Sequence, residues 1–302
     1  MPFPCKLCPR MCGVVRGKEQ PGGGKGMCRL GEDPAVARIA LHFGEEPCIS
    51  GDRGSGTVFF SGCPLGCAFC QNWQISRECF GKRLSQEGLW QSIRRFLVEW
   101  EPHNINFVSP TQYTHSIWRL LREHEMPVPV VWNSGGYERP ECIRAMAGKV
   151  QIYLPDIKYV DPGLSGKLSG APDYFKWASA SVREMYAQVG PPQLDGDGIM
   201  ARGLMVRHLI LPGCTDDSMR VLDWIARNLP GAWVSLMAQY TPYGEAKNMP
   251  GFHRRITKRE YERVYGHMLD LGLEDGYVQE LEAAEEDHIP PFDLSGVEEA
   301  PF

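Results

Sequence analysis

The sequence predicts an α/β protein built as a partial, open (β/α)6-type barrel with a small N-terminal Cys-rich metal module. From residue 57 to residue 271, short apolar runs alternate with amphipathic helical patterns, which is typical of parallel β/α units. About six units fit in this length, and a closed barrel needs eight. The chain has 302 residues, of which 43% are hydrophobic, so it can bury a full core and is not a disordered chain.

Strands are expected where short runs of apolar, mainly β-branched or aromatic residues occur, namely at 57–61, 105–108, 128–132, 150–154, 204–211 and 233–237. Helices are expected where apolar residues recur every three to four positions, at 84–100, 116–125, 141–147, 174–188, 215–228 and 258–271. Thr215 is predicted to be the N-cap of its helix, with Asp216 and Asp217 in the first turn. Ligands bind at the carboxyl ends of such strands, so the segment after each strand is a candidate for the site.

Three regions differ in composition. Residues 1–50 form a Cys-rich segment without hydrophobic periodicity, residues 51–272 form the barrel, and residues 273–302 form an acidic tail that we expect to be surface-draped or mobile. The tail from Glu274 onward holds ten acidic residues and no Lys or Arg, so the rest of the chain, with a total of −5, carries a net charge of +5. The acidity is therefore local.

Several classes of protein are disfavoured. No apolar run reaches 18 residues and the first residues are not a signal peptide, so we expect a cytoplasmic protein with no membrane partner. Eleven cysteines in such a chain favour metal ligation or thiol chemistry over disulfides. The first 38 residues carry seven Lys or Arg against three acids but no recognition motif, so nucleic acid is an unlikely partner.

The loop after the first strand contains Cys63, Cys67 and Cys70 in a C-x3-C-x2-C pattern. Three thiolates suit a [4Fe–4S] cluster, because they hold three irons and leave the fourth open to a small molecule. The alternatives are a zinc site that borrows a fourth ligand, or three unconnected core cysteines.

This loop, with the aromatic Phe69 before its last cysteine, resembles the radical S-adenosylmethionine (SAM) superfamily. The chain is most similar to the pyruvate formate-lyase activating enzyme-like group, in particular its uncharacterised relatives with an extra N-terminal four-cysteine module. The resemblance implies that the three cysteines bind a [4Fe–4S] cluster whose open iron is chelated by SAM. One electron then cleaves SAM to a 5′-deoxyadenosyl radical that abstracts hydrogen. It also implies that Phe69 lies near the adenine.

The same resemblance implies further SAM-binding residues on the loops after the third and fourth strands, namely Asn133, Ser134, Asp156 and Lys158. On the loop after the second strand, Ser109 and Thr111 are candidates on chemical grounds, since main-chain carbonyls and the Thr111 hydroxyl can accept from the SAM ammonium. The family places Gly-Gly-Glu where this chain has Ser109-Pro110-Thr111-Gln112, so the family's carboxylate is missing here. Taken without the family, Asp156 and Lys158 form an ordinary ion pair at a strand end. Arg207 is a further candidate for binding a carboxylate, or else a surface charge.

The N-terminal segment offers a complete set of four thiolates, Cys5, Cys8, Cys12 and Cys28. They can hold tetrahedral zinc that staples a segment without a core, or a second iron–sulfur cluster. The sequence slightly favours iron–sulfur, because an electron must reach the first cluster.

The sequence is compatible with three functions. The first is a radical SAM oxidoreductase that activates a glycyl radical enzyme or modifies a protein or peptide. The second uses the same chemistry on a small metabolite or nucleoside, and the third is a non-catalytic metal- or cluster-binding protein. Either enzyme needs an electron donor such as flavodoxin or ferredoxin.

Overall fold

The computed structural model describes residues 4–279 and 290–297. Within these residues the strands are β1 (Ala35–His42), β2 (Ser55–Phe60), β3 (Lys82–Arg83), β4 (Ile105–Val108), β5 (Val130–Ser134), β6 (Ile152–Pro155), β7 (Gln193–Leu194), β8 (Met200–Leu209), β9 (Trp233–Met237) and β10 (Gly276–Val278). The helices are α1 (Pro47–Ser50), α2 (Trp73–Ser76), α3 (Gln86–Trp100), α4 (Thr114–Glu123), α5 (Pro140–Arg144), α6 (Pro162–Ser169), α7 (Tyr174–Val189), α8 (Thr215–Asn228) and α9 (Lys258–Asp270).

All strands belong to one open sheet. Its order is β10-β9-β8-β6-β5-β4-β2-β1-β3, with the short β7 beside β8. Neighbours from β2 to β10 along this path are parallel, whereas β1 is antiparallel to both β2 and β3. In the part of the chain that the structure describes, β3 and β10 are not paired with each other, so the barrel does not close. The predicted open α/β fold is confirmed.

The strands are apolar because they are buried. Every residue of β2, β4, β5 and β6 is buried, as expected for parallel strands covered on both faces. The six predicted strands are β2, β4, β5, β6, β8 and β9, with ends that differ from the prediction by no more than four residues. The six predicted helices are α3, α4, α5, α7, α8 and α9.

The connection between β1 and β2 fills the interior of the open barrel. Its short helix α1 buries Ile49 in a cluster with Val131 on β5 and Leu154 on β6. The amide of Asn104 donates to the Ile49 carbonyl at 2.7 Å and fixes the helix end. Residues just before α1 are thereby directed toward the carboxyl ends of the strands.

One capping prediction was wrong. Helix α8 begins at Thr215, the N-cap residue is Cys214, and no side chain caps this end. Thr215 instead accepts a hydrogen bond from Arg263 at 2.8 Å. Asp216 and Asp217 do lie in the first turn, where their negative charges interact favourably with the positive end of the helix dipole.

The division of the chain at residues 50 and 272 stays a prediction. The sheet itself crosses both boundaries, since β1 lies before residue 50 and β10 after residue 272. The structure describes only part of the acidic tail. In the described residues, no helix is long and apolar enough to cross a membrane.

Candidate functional site

A cavity lies at the carboxyl ends of the parallel strands. Its walls bring together the loop after β2, the ends of β4 and β5, the segment after β6, and β8. The predicted site residues that line it are Cys63, Cys67, Phe69, Cys70, Ser109, Asn133, Ser134, Asp156, Lys158 and Arg207. Segments up to 144 residues apart in the sequence thus meet because the carboxyl ends of parallel strands share one edge of the sheet.

The three-cysteine loop is fixed by main-chain contacts. Gly62 has φ of +74°, and a Cβ there would lie 2.5 Å from the Cys28 carbonyl oxygen, so only glycine fits. The side-chain amide of Gln112 lies within 3.1 Å of the carbonyls of Ser61 and Gly62 and 2.7 Å from that of Ser109. This single buried side chain therefore ties the cysteine loop to the loop after β4.

The thiols of this loop lie close enough to interact electrostatically. Burial raises the pKa of the Cys63 thiol to about 12, and the neighbouring Cys67 and Cys70 add to that rise. Burial and Cys67 also raise the pKa of Cys70, whereas the charge of Lys158 opposes the rise. Cys63 and Cys70 are therefore held as neutral thiols, and binding a metal would release their protons. This donor set fits a metal cluster.

Lys158 supplies positive charge beside the thiols. Burial alone would lower the pKa of Lys158, but the adjacent Asp156 carboxylate outweighs this and holds the pKa above its ordinary value. The Lys158 ammonium donates to Asp156 at 2.5 Å, and the main-chain N–H of Lys158 donates to the Tyr174 hydroxyl at 3.0 Å. An ammonium has three N–H donors, so Lys158, which faces the single carboxylate of Asp156, can still donate to a second carboxylate.

The floor of the cavity is a buried ion pair that sequence reasoning missed. The Glu45 carboxylate, 6% exposed, accepts from Arg207 at 2.9 Å and from the amides of Asn106 and Asn133 at 3.0 Å each. Arg207 also lies 3.3 Å from Glu46. Although burial lowers the pKa of Arg207, Glu46 and Glu45 raise it above the ordinary value. Arg207 is therefore a buried cationic group and not a surface charge.

The candidate residues Phe69 and Thr111 differ in their position relative to the cavity. Phe69 lies in the cavity wall with its ring 5.9 Å from that of Tyr240, which also lines the cavity. Thr111 lies outside the cavity lining. It is buried, and its hydroxyl donates at 2.9 Å to Glu138, a fully buried carboxyl whose pKa is raised by burial. The structure therefore gives Thr111 a place in the core beneath the loop and no contact with the cavity.

The N-terminal cysteines lie beside the three-cysteine loop. Cys5, Cys8 and Cys28 are buried and Cys12 is exposed. Burial raises the pKa of Cys8 to about 12, and Cys28, Cys5 and Cys12 each add to that rise. The guanidinium of Arg16 lies 3.3 Å from the Cys28 sulfur. Four thiols with one cation at their edge are again a donor set suited to a metal.

The N-terminal module is held against the barrel by two arginines. Arg10 donates to the carbonyls of Pro64 and Ser169 at 2.9 Å each, and Arg16 donates to the Gln112 carbonyl at 2.6 Å. Across residues 4–279 and 290–297, no three or more His, Cys, Asp or Glu side chains form a preformed metal site.

Comparison of the whole sequence identifies a relative. No family model matches the chain. The uncharacterized protein MJ0674 of Methanocaldococcus jannaschii is 30% identical over 271 residues, which are 86% of this chain and 72% of that protein. The chain belongs to the MJ0674 family. That membership identifies the chain by descent and assigns no activity.

This member of the MJ0674 family is also similar to several solved structures. A domain of pyruvate-formate lyase-activating enzyme from Bacteroides vulgatus has a TM-score of 0.39 at 11% identity and covers 56% of this chain and 92% of that chain. Streptococcus suis SuiB has a TM-score of 0.49 at 14% identity, over 74% of this chain and 49% of that chain. Methylornithine synthase (PylB) has 0.47 at 15% identity, over 77% and 63%. Similarity at this level assigns no function to the MJ0674 family.

Proposed function

We propose that this protein is a radical SAM enzyme. The observation that carries the proposal is that the C-x3-C-x2-C loop places three thiols on the wall of the same cavity as Asp156 and Lys158. Three cysteine ligands leave one iron of a [4Fe–4S] cluster without a protein ligand. A chemically open iron beside a polar cavity suits catalysis better than a structural role, in which all coordination positions are filled.

The chain's own residues would bind and orient the cofactor. Cys63, Cys67 and Cys70 would hold the cluster, and the charged Lys158 would bind the carboxylate of SAM. With a cluster and SAM bound there, the site would supply one-electron reductive cleavage of SAM, with the electron coming from an external donor. The hydroxyl and amide groups of Ser134 and Asn133 are available to the ribose or the methionine portion.

Around this core, Ser109 faces the cavity where the family's carboxylate is absent, and Phe69 would pack near the adenine. Arg207 is held by Glu45 and Glu46, which reduces its capacity to bind a further carboxylate. We therefore assign Arg207 and Glu45 together to the floor on which the ligands lie.

For the substrate, we propose a protein or peptide, with activation of a glycyl radical enzyme as the specific form of this reaction. The open sheet supports it, because an unclosed barrel leaves lateral room for a polypeptide loop. A small metabolite or nucleoside is the second candidate, and the polar floor of Glu45 and Arg207 favours it, since charged groups select small polar ligands. A flavodoxin or ferredoxin would deliver the electron.

For the N-terminal module, we propose a second iron–sulfur cluster at Cys5, Cys8, Cys12 and Cys28. Its support is position, since the Cys28 carbonyl lies against Gly62, the residue before Cys63. Metal analysis of anaerobically purified protein tests it. A content of one zinc and about four irons per chain would show that the N-terminal cysteines hold zinc and that the protein has a single cluster.

The enzyme proposal has a direct test. The reconstituted protein is reduced with dithionite and incubated with SAM, and 5′-deoxyadenosine is measured. Cys67→Ala should abolish both this product and the iron of that cluster. Cys214→Ala, which removes a half-buried thiol outside the cavity lining, is the matched control and should retain both. Absence of product from a fully loaded wild-type protein would refute the proposal.

A further inference from the structure

Residues 290–297 return from the far end of the chain to lie along β1. The Leu294 N–H donates to the Ala37 carbonyl at 3.0 Å, and the Ile39 N–H donates to the Ser295 carbonyl at 2.8 Å. A Cβ at Gly296 would lie 2.2 Å from the Ile39 carbonyl oxygen, so the two main chains are in close contact. This segment, which we call the strap, adds to β1 much as an extra strand would.

Side chains anchor the strap at its beginning. Phe292 is 8% exposed and packs in one cluster with Ala37 and Val108. Its ring meets that of Phe59 edge to face, with the centroids 5.5 Å apart. Next to it, Asp293 accepts from Arg38 at 2.8 Å. The seat therefore recognises an extended main chain, one aromatic side chain and an adjacent acidic group.

The seat and the cavity share a wall. Phe59 and Val108 contact Phe292 on one side and line the cavity on the other, and Pro290 of the strap itself lines the cavity together with the three cysteines. A chain that leaves the seat toward its N-terminus therefore enters the rim of the cavity. The strap covers this side of the opening while it is seated.

The strap is held at the sheet edge by three apolar side chains and a few polar contacts. Phe292 packs with Phe59, and Leu294 and Val297 pack on the main hydrophobic core. Two main-chain hydrogen bonds join the strap to β1, and Arg38 donates to the Pro291 carbonyl at 2.9 Å and to Asp293, whose side chain is 49% exposed. An edge segment with so few buried side chains opens at lower cost than the core. Strand addition at a sheet edge is also a common way to bind an extended peptide.

We propose that the seat on β1 is the docking site for an extended peptide substrate with an aromatic side chain, and that the strap occupies it as a displaceable cover. Docking a peptide there would place the residues preceding its aromatic side chain at the cavity rim, where Pro290 now lies. The substrate part of this inference rests on the proposed function. Displacement of the strap does not.

The first test weakens the strap in the full-length protein without cluster or SAM. In the double variant Phe292→Ala/Asp293→Ala, hydrogen exchange of the Ile39 amide and reaction of Cys63 with a bulky polymer-conjugated maleimide should both become at least about tenfold faster. Reaction of Cys214 should not change. The matched control is Leu269→Ala, an exposed apolar residue on α9, which should leave both rates as in the wild type.

The second test adds a synthetic peptide, PPFDLSGV, which has the sequence of residues 290–297. It should bind the double variant and restore the protection of Ile39 and Cys63, while a peptide with Ala in place of Phe should not. Unchanged rates in the double variant would show that the strap is no cover, and equal action of the two peptides would overturn the docking site. Since neither test needs SAM cleavage, their failure is distinct from failure of the proposed enzyme activity.

Discussion

Replacing Glu45 by Gln tests the buried floor of the cavity. Glu45 accepts one charge-assisted hydrogen bond from Arg207 and two from Asn106 and Asn133. A hydrogen bond to a charged group contributes about 1.5–3 kcal/mol. The Gln carbonyl can keep one acceptor, and Arg207 keeps its contact with Glu46. We therefore expect the free energy of unfolding to fall by about 2 kcal/mol.

Urea unfolding of the metal-free protein, followed by circular dichroism, measures this change. The matched control is Glu123→Gln, which removes a carboxylate that is 40% exposed and lies 3.5 Å from Arg119 on the same helix. A surface pair of this kind contributes about 0.5 kcal/mol or less. If Glu45→Gln destabilises the protein no more than Glu123→Gln does, the floor is not a cooperative buried network and the reasoning is refuted.

Three further changes follow from local geometry. Gly62→Ala and Gly148→Ala both place an alanine at a positive φ, but a Cβ has nothing within 4 Å at Gly148 and is crowded at Gly62. Gly62→Ala should therefore lower the free energy of unfolding in urea by about 1–3 kcal/mol more than Gly148→Ala does. Equal losses in the two variants would contradict the clash at Gly62. Thr257→Ala removes the capping box at the start of α9 and should lower the free energy of unfolding by about 1 kcal/mol. Thermal unfolding of the variant and the wild type measures this difference. The hydrogen bond from Arg254 lowers the pKa of Glu260 to about 2, so its contribution to α9 is complete above its ordinary pKa and is lost as the pH falls through about 2. In an acid titration followed by helix content, the wild type should lose helix as the pH falls through about 2, and Glu260→Gln should lack this step. Identical titration curves for the two proteins would contradict the role of Glu260.

The barrel could be predicted because its signal is local. Runs such as Thr57-Val58-Phe59-Phe60 are apolar since both faces of the strand are buried, and the helices between them keep one apolar face. Strand β1 was missed although its own sequence is mostly apolar, because the Cys-rich residues before it made the whole of residues 1–50 look like a segment without a core. Its pairing with β2 and with the strap depends on contacts that no local pattern contains.

The candidate site divides in the same way. Cys63, Cys67 and Cys70 were predictable because their spacing within one loop is itself the signal. Glu45 was not, since its partner Arg207 is 162 residues away and only the fold brings them together. The position of Thr111 outside the cavity lining could not be predicted either, because the turn after β4 places its side chain against Glu138, and the direction of the main chain in a short turn cannot be read from residue type.

We propose that a cluster held by the three-cysteine loop has one iron open to SAM. Electron paramagnetic resonance of the dithionite-reduced protein, recorded with and without SAM, tests it most directly. We predict that SAM changes the signal of the reduced cluster in the wild type, and that Cys67→Ala loses the signal that responds. A spectrum that is identical with and without SAM, in protein with full iron content, would contradict the account.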